Sequence, residues 1–423
     1  MKRLAIIGWA NSIHLERWAN FYASTGNWEV LLITNSEFRR ERYNNEVNFY
    51  VLKRSQKLKW IKERYNGLKQ LLLQINPRNK TINTSNREGP EQNLKCFAPF
   101  LKLAMGMLDG WQISRIVHKE KVDIVNIQSL SGFSIPVFFA IIFMKFTHFR
   151  KEPPIVCNAW GYIERMWWEK RMERYVVKKA RCIQTSSHKT AVIYLSDYDV
   201  SPSKIEVFSW GIDLNTFKIG YTDEVQKICQ KLGLNQQDKI VFHNRHLHPM
   251  YKVEKIIEII PNVIAVNQNI KFLFIRGNMY DPKYEKQLHN IVESLGIESY
   301  VTFIPEYVSP KEMAILLNAS LATISKSTPY DQLAASILES MACGAIPIIS
   351  DYEGYKPWLQ EGKNVFFVAD GNEAKYAENI LRLASNGKIY KGMRENNVGL
   401  VKQIADSDKC LRRMEDILKK ALR

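Results

Sequence analysis

The sequence predicts two Rossmann-like, doubly wound α/β domains, and three stretches carry that expectation. Residues 2–8, KRLAIIG, read as a strand ending at Gly8, followed by a short loop, a helix from about Ile13 and a second strand at 28–34. The same alternation restarts at residues 239–245 and recurs at 271–277. The third stretch, 325–351, runs polar loop, helix, glycine, strand. In it Leu333, Ile337 and Met341, with Ala334 and Leu338, recur every fourth residue. Gly344 stops that helix, and residues 346–350 form a short buried strand.

Each element bounds what the chain does. A length of 423 residues with 46% hydrophobic content suits two domains with ordinary cores. The opening strand and turn lack GxGxxG, which disfavours a nicotinamide or flavin enzyme. Residues 4–7 are too short for a signal-peptide core and read as strand, so no secretion signal is expected. The six cysteines are scattered without a CxxC pair, which suggests neither zinc site nor disulfide framework and suits a reducing compartment. The longest apolar run, 133–146, is too short to span a bilayer and reads as a buried helix. The net charge of +17 calls for an anionic partner: a nucleotide diphosphate, an anionic membrane, a phosphorylated acceptor or a nucleic acid.

Residues 53–75 place Leu58, Ile61, Tyr65, Leu68, Leu72 and Ile75 on one stripe among lysines and arginines. Two readings fit: a helix lying on an anionic membrane, or one packed on the sheet with a basic outer face. Residues 76–92 read as a polar loop. Residues 155–161 form a strand ending at Trp160-Gly161, with Glu164 close behind. The next helix interleaves Arg165, Trp167, Trp168, Lys170, Arg171 and Arg174, which fits lipid headgroups, single-stranded nucleic acid or plain packing. No RRM, KH or helix-turn-helix signature supports nucleic acid.

Two carboxylates mark the stretch 325–351. Asp331 falls where the helix is expected to begin, and Glu339 about two turns later on the same side. A helix start offers N–H groups and a positive dipole end that hold a diphosphate. One carboxylate at its mouth can accept from sugar hydroxyls, and one deeper can take a ribose diol. The plainer reading makes Asp331 a helix-start residue and Glu339 a solvated one. His243, His246 and His248 lack a carboxylate partner in motif, so they read as loop or ligand-contacting residues and not as a metal site.

Asp331-x7-Glu339, the run SMACGAIPII, and Glu361-Gly-Lys-Asn before Phe366-Phe367-Val368 together resemble the signature of the retaining group 1 glycosyltransferases, which are family 4-like. The resemblance implies the GT-B fold, two domains facing a central cleft. It implies an N-terminal acceptor domain at 1–217, a linker at 218–237, a C-terminal nucleotide-sugar domain at 238–405, and a last helix at 406–423 packing back on the first. It implies that Arg245 and Lys252 grip the donor diphosphate and neutralise its growing charge. Asp331 contacts the donor sugar, Glu339 the ribose, and Gly277, Gln332, Leu333 and Ala334 complete the donor site. Gln128 stands where the family has a donor-site histidine, and cannot titrate. Gly8, His14, Trp160, Gly161 and Glu164 fall on the acceptor or cleft side, with Glu164 in place of the family's aspartate after Trp-Gly; His14 equally fits a surface helix position. The family has Glu where this chain has Asp331.

The implied activity is transfer of a hexose-type sugar from a nucleotide-diphosphate sugar to a glycan or lipid-linked acceptor, with retention, in surface-polysaccharide biosynthesis. No cofactor and no metal is expected. The expected place is cytoplasmic, peripheral on the inner face of the membrane. A non-catalytic anion-binding protein of the same fold, or another GT-B enzyme such as an epimerase, is the rival reading.

Overall fold

The computed structural model describes residues 1–53, 90–146, 152–235, 237–277, 280–305, 307–326 and 333–423. The chain divides into two compact units. The first holds Met1–Thr185, Ile193–Glu206 and Glu415–Arg423; the second holds Ser186–Val192 and Val207–Met414.

In chain order the first unit contains β1 (Lys2–Ile7), α1 (Ile13–Ser24), β2 (Trp28–Thr34), β3 (Asn48–Val51), α2 (Pro90–Lys119), β4 (Ile124–Gln128), α3 (Leu130–Phe146), β5 (Ile155–Ala159), α4 (Trp167–Lys179), β6 (Cys182–Thr185), α5 (His188–Ser196), whose start counts with the second unit, and β7 (Ile205–Val207). Its sheet has the order β3-β2-β1-β4-β5-β6-β7 and is parallel from β3 to β6. Parallel strands covered on both faces need apolar side chains on both, and β4, β5 and β6 are buried at every position. Phe133, Val137, Ala140 and Ile141 of α3 close the core over Ile127 and Cys157. The run at 133–146 thus forms the expected helix, although its last residue, Phe146, faces water.

The second unit contains α6 (Thr222–Lys231), β8 (Lys239–His243), α7 (Val253–Ile257), α8 (Ile260–Ile264), β9 (Ile270–Ile275), α9 (Pro282–Ser294), β10 (Val301–Ile304), α10 (Pro310–Ala319), β11 (Ser320–Ser325), α11 (Ala335–Cys343), β12 (Ile346–Ser350), β13 (Phe366–Val368), α12 (Ala374–Ser385), α13 (Gly387–Ile404) and α14 (Ser407–Ala421), whose last turns count with the first unit. Its sheet order is β10-β9-β8-β11-β12-β13, parallel throughout. Phe272, Phe274, Ile324, Ile348 and Phe366 form one side of its core. Leu273, Phe242, Leu338, Met341 and Ile349 form the other. In both sheets the strand order reverses beside the first strand, between β1 and β4 and between β8 and β11. Ligands of open α/β sheets bind at the carboxyl ends of such a pair.

Some sequence expectations shift. The helix expected to begin at Asp331 begins at Ala335. Ala334 precedes it with extended backbone (φ −67°, ψ 141°), and Leu333 is buried in the core, so the fourfold stripe starts before the helix does. Residues 90–92, expected in a loop, open α2, while 54–89 lie outside the described residues, and with them nearly all of the basic stripe at 53–75. The stretch 218–237, read as a linker, carries α6, which packs on α10. The long helix α2 had no counterpart in the sequence reading. Its signal was there, in Leu101, Met105, Ile113 and Val117 at four-residue steps, interrupted by the buried Asp109.

Candidate functional site

The switch point of the second unit gathers charge. β8 ends at His243, and Asn244 and Arg245 turn toward the start of α11. Asn244 Nδ2 donates to the Ser336 carbonyl (3.1 Å) and to Ser340 Oγ (3.2 Å). Arg245 Nη1 donates to Ser336 Oγ (2.6 Å) and Nη2 to the Tyr251 hydroxyl (3.0 Å), with the guanidinium over the Tyr251 ring. The arginine is thereby fixed at the first turn of α11, where no side chain caps the helix. That turn supplies the N–H groups of a helix start.

Lys252 follows on the same loop in the left-handed conformation (φ 45°, ψ 46°). Its charge acts on Asp370, whose carboxyl is held low chiefly by Lys326 and then by Lys252. Lys326, the residue after β11, is buried, with Nζ 2.7 Å from Asp370 and 2.6 Å from Glu373. Burial alone would lower its pKa; the two carboxylates outweigh burial and raise it. The sequence reading missed Lys326 as a site residue, and Asn244 and Ser336 as the groups that set Arg245. Their partners are far apart in sequence, so no local motif marked them.

Gly277 closes the loop after β9. A side chain there would meet His246 Nδ1 at 2.1 Å, and its φ of +68° suits glycine. Burial, then the charges of Arg245 and His248, hold the His246 pKa below the usual histidine range. Burial also pushes His243 down to about 4, against a hydrogen bond between its Nδ1 and the Ile324 carbonyl (2.9 Å). Glu339 sits half-buried on α11, one turn past Ser336. Asp331 and Gln332 lie outside the described residues. Among the described residues, no group of three or more potential metal ligands occurs.

In the first unit, Gly8, His14, Gln128 and Trp160 come together at the carboxyl ends of β1, β4 and β5. A Cβ on Gly8 would lie 2.9 Å from Gln128 Cβ, so only glycine lets the strand end pass. Trp9 packs edge-on against Trp160 (6.2 Å) and His14 against the same indole (5.9 Å). Burial, then the Arg17 charge, pushes His14 down to about 4. Gln128 is fully buried: its Nε2 donates to Asn126 Oδ1 (2.8 Å) and Asn158 Oδ1 (3.1 Å), and its Oε1 accepts from Trp160 Nε1 (3.3 Å). Asn158 continues the ladder to Gln184 (2.8 Å). Gln128 is thus a strut that orients Trp160. Gly161 follows with φ 134°. Glu164 is exposed, while its neighbour Arg165 turns inward to the buried Glu173 (3.0 Å).

Comparison with known proteins decides the family. The model "Glycosyl transferases group 1" matches residues 224–398, and "Glycosyltransferase Family 4" matches 76–216. The chain belongs to the group 1, family 4-like glycosyltransferases. Spore coat protein SA of Bacillus subtilis is 28% identical over 48% of this chain and 57% of its own length. A D-inositol 3-phosphate glycosyltransferase of Frankia alni is 23% identical over 44% and 46%. The chain thus spans about half the length of the curated relatives it matches. Among solved structures, a glycosyltransferase from Rickettsia africae superimposes with a TM-score of 0.76 at 14% identity, covering 100% of this chain and 99% of that one. Anabaena HepE, solved with UDP, gives 0.73 at 15% identity over 99% and 100%. These likenesses and the two parallel sheets establish the GT-B fold of this group 1 glycosyltransferase family member.

Proposed function

We propose that this chain moves a hexose-type sugar from a nucleotide-diphosphate sugar to a glycan or lipid-linked acceptor, with retention at the anomeric carbon, in surface-polysaccharide assembly. The observation that carries the proposal is Arg245, held by Ser336 Oγ at the start of α11, with Lys252 on the same loop. As the glycosidic bond breaks, the leaving nucleoside diphosphate gains charge. Two preplaced cations and helical N–H groups stabilise that charge without reorganising. Glu339, a turn further on, is assigned to the ribose diol, and Asp331 to the donor sugar. Trp160 and His14, placed at the switch point of the first unit, are assigned to the acceptor. HepE has been solved with UDP-glucose, which supports a nucleotide sugar as donor. The acceptor's lipid portion would bring the chain to a membrane surface as a peripheral protein.

The test is thermal stabilisation by a panel of nucleoside diphosphates and their sugars. Wild type is compared with Arg245→Ala and Glu339→Ala, followed by turnover of the donor that binds. A ligand at about 100 times its Kd adds roughly 2.7 kcal/mol. One nucleotide should raise the melting temperature of the wild type and of neither variant. If no nucleotide raises it, the donor site is wrongly assigned. Binding without turnover, with acceptors supplied, would leave an anion-binding protein on a transferase scaffold.

A further inference from the structure

Three helices of the first unit form one layer. Right-handed crossovers between parallel strands carry α2, α3 and α4 over the same face of the sheet. Contacts agree: α3 packs against both neighbours, and Lys102 of α2 donates to Glu169 of α4. The side of this layer turned away from the sheet carries two features that the transfer chemistry does not use.

The first is apolar. Phe100, Met107 and Trp111 recur at seven and four residues along α2, hence on one stripe, and are 70%, 43% and 44% exposed. Phe146 ends α3 at 76% exposure, and Trp167 opens α4 at 71%. Large apolar side chains held in water on three adjacent helices mark a surface that something covers.

The second feature is charge. Trp167 heads a stripe of α4 continued by Arg171, Arg174 and Lys178, at steps of four, three and four residues. A cavity of about 380 Å³ on this helix is lined by Arg171, Arg174, Tyr175, Lys178 and Lys179, with no carboxylate in its lining. Lys145, the neighbour of Phe146, donates to the Tyr175 hydroxyl at 2.5 Å. The acidic residues of α4, Glu169 and Glu173, are buried. The acidic groups that meet these cations are Asp199, 2.8 Å from Lys178 and 3.6 Å from Arg174, and Glu152, 3.9 Å from Lys179. On α2, Arg115 stacks over Trp111.

Aromatic residues beside arginine suit a protein partner as well as a membrane. Lysine decides between them: it is depleted at protein interfaces, whereas lysine and arginine flanking tryptophan and phenylalanine are what an anionic lipid surface recruits. We propose that the outer face of the α2–α3–α4 layer docks this protein on an anionic lipid bilayer. Phe100, Met107, Trp111, Phe146 and Trp167 enter the headgroup boundary, and the α4 cations meet lipid phosphates. The inference deepens the membrane contact of the proposed function and rests on that reading for its biological purpose. It places the contact on residues other than the basic stripe at 53–75.

The experiment is co-sedimentation of the full chain with phosphatidylcholine vesicles, with and without phosphatidylglycerol. Wild type is compared with Arg171→Gln/Arg174→Gln/Lys178→Gln and with Trp111→Ala/Trp167→Ala. Nucleotide-induced thermal stabilisation is measured on each. Wild type should bind the anionic vesicles alone, and added salt should weaken that binding. Each basic residue near an anionic surface contributes about 1 kcal/mol, so the triple variant should bind about a hundredfold more weakly. The double tryptophan variant should bind weakly at every salt concentration. All three proteins should keep the same nucleotide shift. Equal binding of wild type and both variants would overturn the proposal. So would preference for RNA or inorganic phosphate over the vesicles, or no vesicle binding at all. Vesicle binding without any nucleotide shift would sink the transferase reading and leave the docking face standing; the reverse would sink the docking face alone.

Discussion

Arg245 shows what one side chain owes to its setting. A free arginine on a loop samples many rotamers; this one is pinned between Ser336 Oγ and the Tyr251 hydroxyl, so its charge is fixed at the start of α11, where the proposal places the diphosphate. Charge-assisted hydrogen bonds contribute roughly 1.5–3 kcal/mol, so Arg245→Ala should weaken nucleotide binding about ten- to hundredfold in calorimetric titration. Arg245→Lys should recover only part of it, since an ammonium lacks the planar fork. An unchanged Kd in the alanine variant would remove Arg245 from the site. His243 offers a separate check through pH. Folded, it stays neutral down to about 4, while its ordinary value is 6.5. Between those values the unfolded chain takes up a proton that the folded one refuses, so stability is full above the upper value and falls as pH drops toward the lower. The loss attributable to His243 is about 3 kcal/mol. Urea unfolding across that window should show a shallower slope for His243→Gln than for wild type, with His14 still contributing in both. Gln128 marks the limit of reading residues one at a time. Its place in the chain suggested a donor contact, but the register of β4, β5 and β6 sets Asn126, Asn158 and Gln184 around it, and register across strands is not written in any local stretch.

At the scale of elements, strands were the legible part. Alternations of apolar runs with glycine and loop residues placed β1, β2, β5, β8, β9 and β12 to within two residues, because buried parallel strands leave continuous apolar runs. Helix starts were less legible. The fourfold stripe through Leu333 and Ala334 extends past the helix because Leu333 is buried with extended backbone behind it, and periodicity alone does not separate burial from helicity. The consequence is chemical: the N–H groups available to a phosphate belong to residues 335 and 336, since the Ile337 N–H already donates to the Ala334 carbonyl (3.0 Å). Ser336→Ala should therefore cost nucleotide affinity about five- to tenfold, by freeing Arg245, while changing the melting temperature little. A large loss of stability with no change in affinity would show that Ser336 serves packing alone. The loop after β9 gives a sterner case. Gly277→Ala adds a Cβ in a left-handed conformation against the His246 ring, and the backbone penalty alone is about 1–2 kcal/mol. Chemical denaturation should show at least that much destabilisation.

At the scale of the molecule, two sheets with the same reversal of strand order divide the functional groups. One unit offers cations at a helix start, the other an indole held by a buried amide ladder. The family was readable because its signature lies in contiguous residues of the second unit. The acceptor was not, because the residues around Trp160, to which the proposal assigns it, come from separate strands. Among the described residues no helix is long and apolar enough to cross a membrane. The last turns of α14 count with the first unit, where Glu415 accepts from Asn27 Nδ2 (2.8 Å) and Trp28 Nε1 (3.0 Å). Glu415→Ala would leave a buried indole N–H unpaired, and unfolding should become easier by roughly 1–3 kcal/mol. A chain leaves the ribosome from its first residue onward. The strands of the first unit therefore emerge early, yet Trp28 gains its acceptor only after the whole second unit has been made. The first unit to be synthesised is the last to be finished, and a ribosome stalled before residue 415 should hold it looser than the released protein, as limited proteolysis of stalled and released chains would show.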